Sequence, residues 1–148
     1  MRKKFGCVII THGKFGIELL EVARHILGDK LPEFAAIELP FMRDIKEEID
    51  PDSSTPYKDR RRWLEKRLLE AKARVDQGQG ILVFTDLMGG TSFNVAEEAL
   101  QNSKAALISG VNLPMLLKAS NLESTTLEGA AEELGVRSRQ AIHWHILP

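Results

Sequence analysis

The sequence predicts a doubly wound α/β fold built on a mostly parallel sheet of about five strands. Short β-branched apolar runs alternate along the chain with stretches of helical spacing. Three of the runs, at residues 5–10, 80–85 and 104–109, are apolar enough to be strands covered on both faces. Each of the three opens into a polar, glycine-bearing loop, and in an open α/β sheet such loops collect at the carboxyl edge of the strands.

Residues 5–10 form the first expected strand. The helix after it places Phe15, Leu19, Ala23, Ile26 and Leu27 on one face and stops at Gly28-Asp29. Residues 34–39 are a weaker strand, closed by Pro40. The least regular stretch, 43–56, offers a short helix with Ile45 and Ile49 on one face, then a loop over 51–56. Thr55 is a candidate N-cap with Pro56 at the first helical position, and Leu64, Leu68, Ala71 and Val75 follow at helical spacing. After the strand at 80–85, a helix over 92–100 buries Phe93, Ala96 and Leu100. The strand at 104–109 leads to a short helix at Pro114 and a last helix marked by Leu127, Ala130, Ala131 and Leu134. The final residues, 141–147, alternate with period two, as a strand with one buried face does.

The 148 residues suit a single domain, 1–148, with no repeat, low-complexity tract or linker. A net charge of −1 gives no electrostatic case for nucleic acid or an anionic membrane. The basic Met1-Arg2-Lys3-Lys4 precedes an apolar run too short for a signal peptide or a membrane span, so a cytoplasmic protein is expected. Cys7, the lone cysteine, lies inside an apolar strand and is expected to be buried and inert.

Chemistry concentrates in the loops. If His12 and Asp86 meet at the carboxyl edge, a carboxylate holding the proton on Nδ1 leaves Nε2 with a free lone pair, an imidazole nucleophile. Gly89, Gly90, Thr91 and Ser92 offer backbone N–H groups, hydroxyls and the positive end of a helix, which together suit a small anion. A nucleophile beside an anion cradle suits phosphoryl transfer. There is no nucleotide-binding Gly-x-x-x-x-Gly-Lys loop and no magnesium carboxylate cluster beside the glycines, and a phosphate carried on histidine needs neither. No cofactor and no metal are expected. His143 and His145 share the polar face of the tail but lack a third ligand.

Thr11-His12-Gly13, the run from Asp86 to Asn94 (Asp-Leu-Met-Gly-Gly-Thr-Ser-Phe-Asn) and Gly110-Val111-Asn112-Leu113-Pro114-Met115-Leu116 resemble the three signature loops of the mannose-family IIA component of the bacterial phosphoenolpyruvate-dependent sugar phosphotransferase system. The resemblance implies that His12 accepts phosphate from HPr and passes it to a IIB histidine, with a IIC/IID permease served indirectly. It implies that Asp86 bonds the histidine, that Thr91 supplies a hydroxyl near the phosphate, and that Thr11, Gly13 and Asn112 line the site. It also implies a homodimer that exchanges an antiparallel last strand, a role the alternating tail fits.

Two departures from that family stand out. Thr91-Ser92 occupies the place of a usual Ser-Pro, and segment 43–62 is longer than the connection expected there. The segment is acidic at Asp44, Glu47, Glu48, Asp50 and Asp52, then basic at Arg60-Arg61-Arg62, which reads most simply as a solvated helix face. Two alternatives accompany the carrier reading. One is a regulatory phospho-switch module of an incomplete phosphotransferase system. The other is the phosphotransfer subunit of dihydroxyacetone kinase, which the Thr11-His12-Gly13 and Asn112–Met115 contexts fit less well.

Overall fold

Val8, Ile9 and Ile10 leave the first apolar run no face to give to water, and they build an inner strand of the sheet. The computed structural model describes residues 5–41 and 56–148, with residues 56–59 described by backbone alone. Strand β1 (Gly6–His12) pairs in parallel with β2 (Phe34–Leu39) on one side and with β3 (Ile81–Thr85) on the other. β3 pairs in parallel with β4 (Ala105–Ile108), giving the order β2-β1-β3-β4.

The helices are α1 (Phe15–Leu27), α2 (Pro56–Val75), α3 (Thr91–Ala99), α4 (Leu113–Ala119) and α5 (Leu127–Gln140), with a short 3-10 turn at Gly28–Lys30. Alternate strand residues feed two cores, as the period-two geometry of a strand requires. Cys7, Ile9, Leu82 and Phe84 pack under α1, α4 and α5 through Leu20, Ala23, Met115, Leu116 and Leu134. Val8, Ile10, Ile81 and Val83 pack under α2 and α3 through Leu64, Leu68, Val95 and Ala96. The sheet is therefore doubly wound, as the sequence predicts. Burial pushes the Cys7 thiol up to about 12, so no thiolate forms near neutral pH.

Several elements depart from expectation in detail. β1 runs on to His12 because Thr11 and His12 continue the ladder opposite Glu38 and Leu39. α1 buries Gly16, Leu20 and Ala23, while Phe15 and Ile26 stand 49% and 55% exposed. Its apolar arc is wider than the part the sheet covers, so the centre of the arc is not the buried face. In α3, Ser92 and Val95 are buried and Phe93 is half-buried. Arg60 and Arg61 are not simply a solvated face. Arg60 is buried and its Nη2 donates to the Pro40 carbonyl at 2.7 Å, and Arg61 pairs with Glu98, tying α2 to α3.

Within one copy of the chain the sheet has four strands among the described residues. Residues 142–148 form no strand within the chain, and Trp144 is 85% exposed rather than packed in its own core. The expectations for residues 1–4, for 43–54 and for the Thr55 cap lie outside the described residues. Among the described residues no helix is long and apolar enough to cross a membrane.

Candidate functional site

The chain leaves β1 toward β2 on one side of the sheet and returns to β3 on the other, so the carboxyl ends of β1 and β3 flank a topological switch point. His12 is the last residue of β1, and Asp86 follows the last residue of β3. The parallel register pairs Ile10 with Thr85, so the two chain ends emerge side by side. Residues 74 positions apart in sequence thereby meet.

The Asp86 carboxylate is held by four donors. Its Oδ2 accepts the His12 backbone N–H at 2.9 Å and lies 2.7 Å from His12 Nδ1. Its Oδ1 accepts the Leu87 N–H at 3.0 Å and the Ser92 hydroxyl at 3.0 Å. Burial pushes the Asp86 carboxyl upward, but its bonds from the His12 backbone, the His12 ring and the Ser92 hydroxyl, with the coulombic pull of the imidazole, outweigh it and hold the pKa below the ordinary value. An ionised carboxylate can only accept, so Nδ1 carries a proton, and in the neutral tautomer this selects, Nε2 keeps the lone pair. The His12 side chain remains 29% exposed, open enough for a macromolecular partner to reach.

The glycine turn closes one side of the ring. Gly90 caps α3 and comes so near that a Cβ there would sit 3.7 Å from His12 Cε1. The first intrahelical bond of α3 runs from the Asn94 N–H to the Gly90 carbonyl, and the Asn94 side chain donates to the Gly89 carbonyl. The amides of Thr91, Ser92 and Phe93 precede that bond and form the free, positive end of the helix, beside the imidazole.

Other residues expected at the site support it from a distance. Thr11 is buried on the opposite face of β1, where its hydroxyl accepts the Gly16 N–H at 2.7 Å and anchors the start of α1. Asn112 accepts the Met115 N–H and donates to the Ser138 carbonyl, so it caps α4 and ties it to α5; it makes no hydrogen bond to His12 or Asp86. Its loop joins the site through the backbone, with Gly110 N–H on the Asp86 carbonyl and Val111 N–H on the Thr85 carbonyl. Ser92, expected at the phosphate, gives its hydroxyl to Asp86 instead. The buried Thr85 hydroxyl has no partner among the described residues.

Two neighbours escaped the sequence reading. Phe41 places its ring 6.3 Å from that of His12, and Arg60 grips the Pro40 carbonyl just before it. The signal was the parallel pairing itself: once Leu39 stands opposite His12, the residues beyond Leu39 must come alongside Gly13.

The family model described as the PTS system fructose IIA component, EIIA-man, matches residues 6–134. The chain belongs to this family. Mannose-type IIA components are phosphotransfer proteins of the sugar phosphotransferase system, and the matched span takes in all three loops of the site. None of the curated proteins matches the chain. The IIA fold is evident in solved structures. The mannose/sorbose specific IIA subunit from Enterococcus faecalis aligns with a TM-score of 0.76 at 22% identity, over 99% of this chain and 98% of that one. The EIIA component from Streptococcus agalactiae aligns with a TM-score of 0.67 at 24% identity, over 94% and 95% of the two chains. A sigma-54 interaction domain protein from Enterococcus faecalis shares the fold with a TM-score of 0.65 at 16% identity, over 95% and 94%. Among the described residues no cluster of three or more His, Cys, Asp or Glu side chains is placed to hold a metal ion.

Proposed function

We propose that the chain is a single IIA phosphocarrier domain, 1–148, which accepts a phosphoryl group from phospho-HPr on His12 Nε2 and hands it to a IIB histidine in the cytoplasm. The observation that carries this reading is the 2.7 Å contact between His12 Nδ1 and an Asp86 carboxylate held ionised by its other donors. In the acceptance step the Nε2 lone pair forms the new P–N bond, the P–N bond to the donor histidine breaks, and the donor ring keeps the electron pair. The His12 ring becomes an imidazolium, and Asp86 balances its charge through Nδ1–H. The first-turn amides of α3, with Gly89, Gly90 and Thr91, form the cradle for the phosphoryl oxygens. Ser92 serves the same step through Asp86, whose orientation it fixes.

The tail supports a homodimer. β4 pairs only with β3 among the described residues, so its outer edge is open. A groove lined by Leu107, Ile108, Gly135, Ser138 and Ile142 runs along that edge. In the tail, Ile142, Trp144 and Ile146 recur at every second residue and all stand exposed. A tail strand from a second copy, added to β4, would cover both edge and groove.

The deciding experiment is phosphorylation by phosphoenolpyruvate, enzyme I and HPr, read by intact mass and acid lability. The expected result is one acid-labile phosphate on the wild type and none on His12→Ala. A wild type left unphosphorylated while HPr itself is charged rules the carrier reading out. A regulatory reading stands second, since a sigma-54 interaction domain protein has the same fold. A protein that is charged by HPr but never passes phosphate to any IIB protein would favour it.

A further inference from the structure

Phe41 lies beside the His12 ring, which Asp86 holds at Nδ1 and the glycine turn approaches at Cε1. Its ring centroid lies 6.3 Å from that of His12 with the planes tilted by 31°, inside the range over which aromatic rings interact directly. The ring is 41% exposed, so burial alone does not explain its place. Three contacts hold it there. Gly13 has a φ of +54°, and a Cβ at that position would fall 2.7 Å from Phe41 Cε2, so the aromatic ring occupies the space a side chain would need. The Gly13 N–H donates to the Leu39 carbonyl at 2.9 Å, fastening the end of β1 to the end of β2. Arg60 holds the intervening Pro40 carbonyl at 2.7 Å from a buried position on α2. The imidazole is thus bounded by Asp86 at Nδ1, by Gly90 at Cε1 and by Phe41 on a flank.

We propose that Phe41 is a positioning residue that walls the His12 imidazole and keeps water away from a phosphate carried on Nε2. This rests on the carrier reading and deepens it. A carrier must hold its phosphate until an acceptor protein arrives, and the competing reaction is hydrolysis. In that reaction a water oxygen forms a P–O bond, the P–Nε2 bond breaks with its electron pair returning to Nε2, and inorganic phosphate leaves with the protons of the water. An apolar ring beside the imidazole denies an attacking water a hydrogen-bonding neighbour and narrows its approach, whereas a docked partner brings its own nucleophile in line.

The test compares wild type, Phe41→Ala and Phe41→Leu, each charged at His12 by phosphoramidate, which needs no protein donor, with His12→Ala as the blank. Phosphate loss is followed at neutral pH after the reagent is removed. Phe41→Ala should lose phosphate about tenfold faster than wild type, while Phe41→Leu, which keeps an apolar wall, stays close to it. All three should melt alike, which a merely structural role would not yield together with faster hydrolysis. Equal hydrolysis rates in wild type and Phe41→Ala overturn the proposal even if HPr charges both. A wild type that holds no phosphate on His12 after phosphoramidate overturns it as well. Failure of HPr alone to charge the protein counts against the carrier reading and leaves the hydrolysis comparison standing.

Discussion

Asp86 concentrates the electrostatics of the site in one side chain. With two donors on Oδ2 and two on Oδ1, its carboxylate is fixed in rotation as well as in charge. Asp86→Asn should slow phosphoryl acceptance by roughly 10- to 100-fold, the usual cost of losing a carboxylate that orients a histidine, while the circular dichroism spectrum is retained. An unchanged rate would take Asp86 out of the mechanism. The same bonds couple the residue to acid stability. Its folded pKa lies below its value in the unfolded chain, so its contribution is complete above the unfolded pKa of about 3.9 and is lost as pH falls through the folded value. The stability gap between wild type and Asp86→Asn, read from urea midpoints, should therefore shrink as pH falls below about 4. Sequence order brought out the His12–Asp86 pair because each residue ends an apolar run, where a parallel sheet must gather its loops. The partner of the Ser92 hydroxyl was not legible. A hydroxyl after two glycines suits a phosphate and a carboxylate equally, and the fold of the 89–92 turn decides between them.

Among the elements, strands were easier to read than helix faces. Apart from the polar residues at their carboxyl ends, β1 and β3 are apolar runs buried on both faces and admit no face error, whereas α1 carries more apolar surface than the sheet covers, and only packing reveals that Gly16 and Leu20 face inward. Arg60 shows the complementary difficulty. Three consecutive arginines look solvated, yet the first is drawn under the end of β2 by a carbonyl left free where Pro40 closes the strand. At the opposite edge of the sheet, β1 starts hard against the end of α2. A Cβ on Gly6 would lie 2.5 Å from the Val75 carbonyl oxygen, a backbone atom with little freedom to yield. Gly6→Ala should cost about 1–3 kcal/mol of stability by overpacking. Because this edge is remote from the carboxyl ends, charging by HPr at a temperature where the variant is folded should match wild type. A selective loss of charging would show that the two edges are coupled.

For the whole molecule, association follows from what the chain leaves uncovered. The edge of β4 left open among the described residues and the exposed apolar face of the tail are complementary needs of one surface, and the proposed pairing of two copies would satisfy both. Light scattering should give twice the chain mass of 16.6 kDa for the full protein and the single mass after deletion of residues 142–148. A full-length monomer at micromolar concentration would remove the exchanged strand. The alternation in the tail was visible in the sequence, but a strand partner was not, since among the described residues the tail pairs with nothing in its own copy of the chain.

The order of strands also sets a clock. β1 pairs with β2 across a shorter excursion of the chain than the one to β3, which includes the whole of α2, and long closures are the slow steps of folding. The contact between His12 and Asp86 spans 74 residues and depends on that later pairing. A nascent or half-refolded chain can therefore possess β1, α1 and its histidine and still have an imidazole with no fixed tautomer. The proposed nucleophile therefore depends on the long-range topology of the sheet and not on β1 and α1 alone.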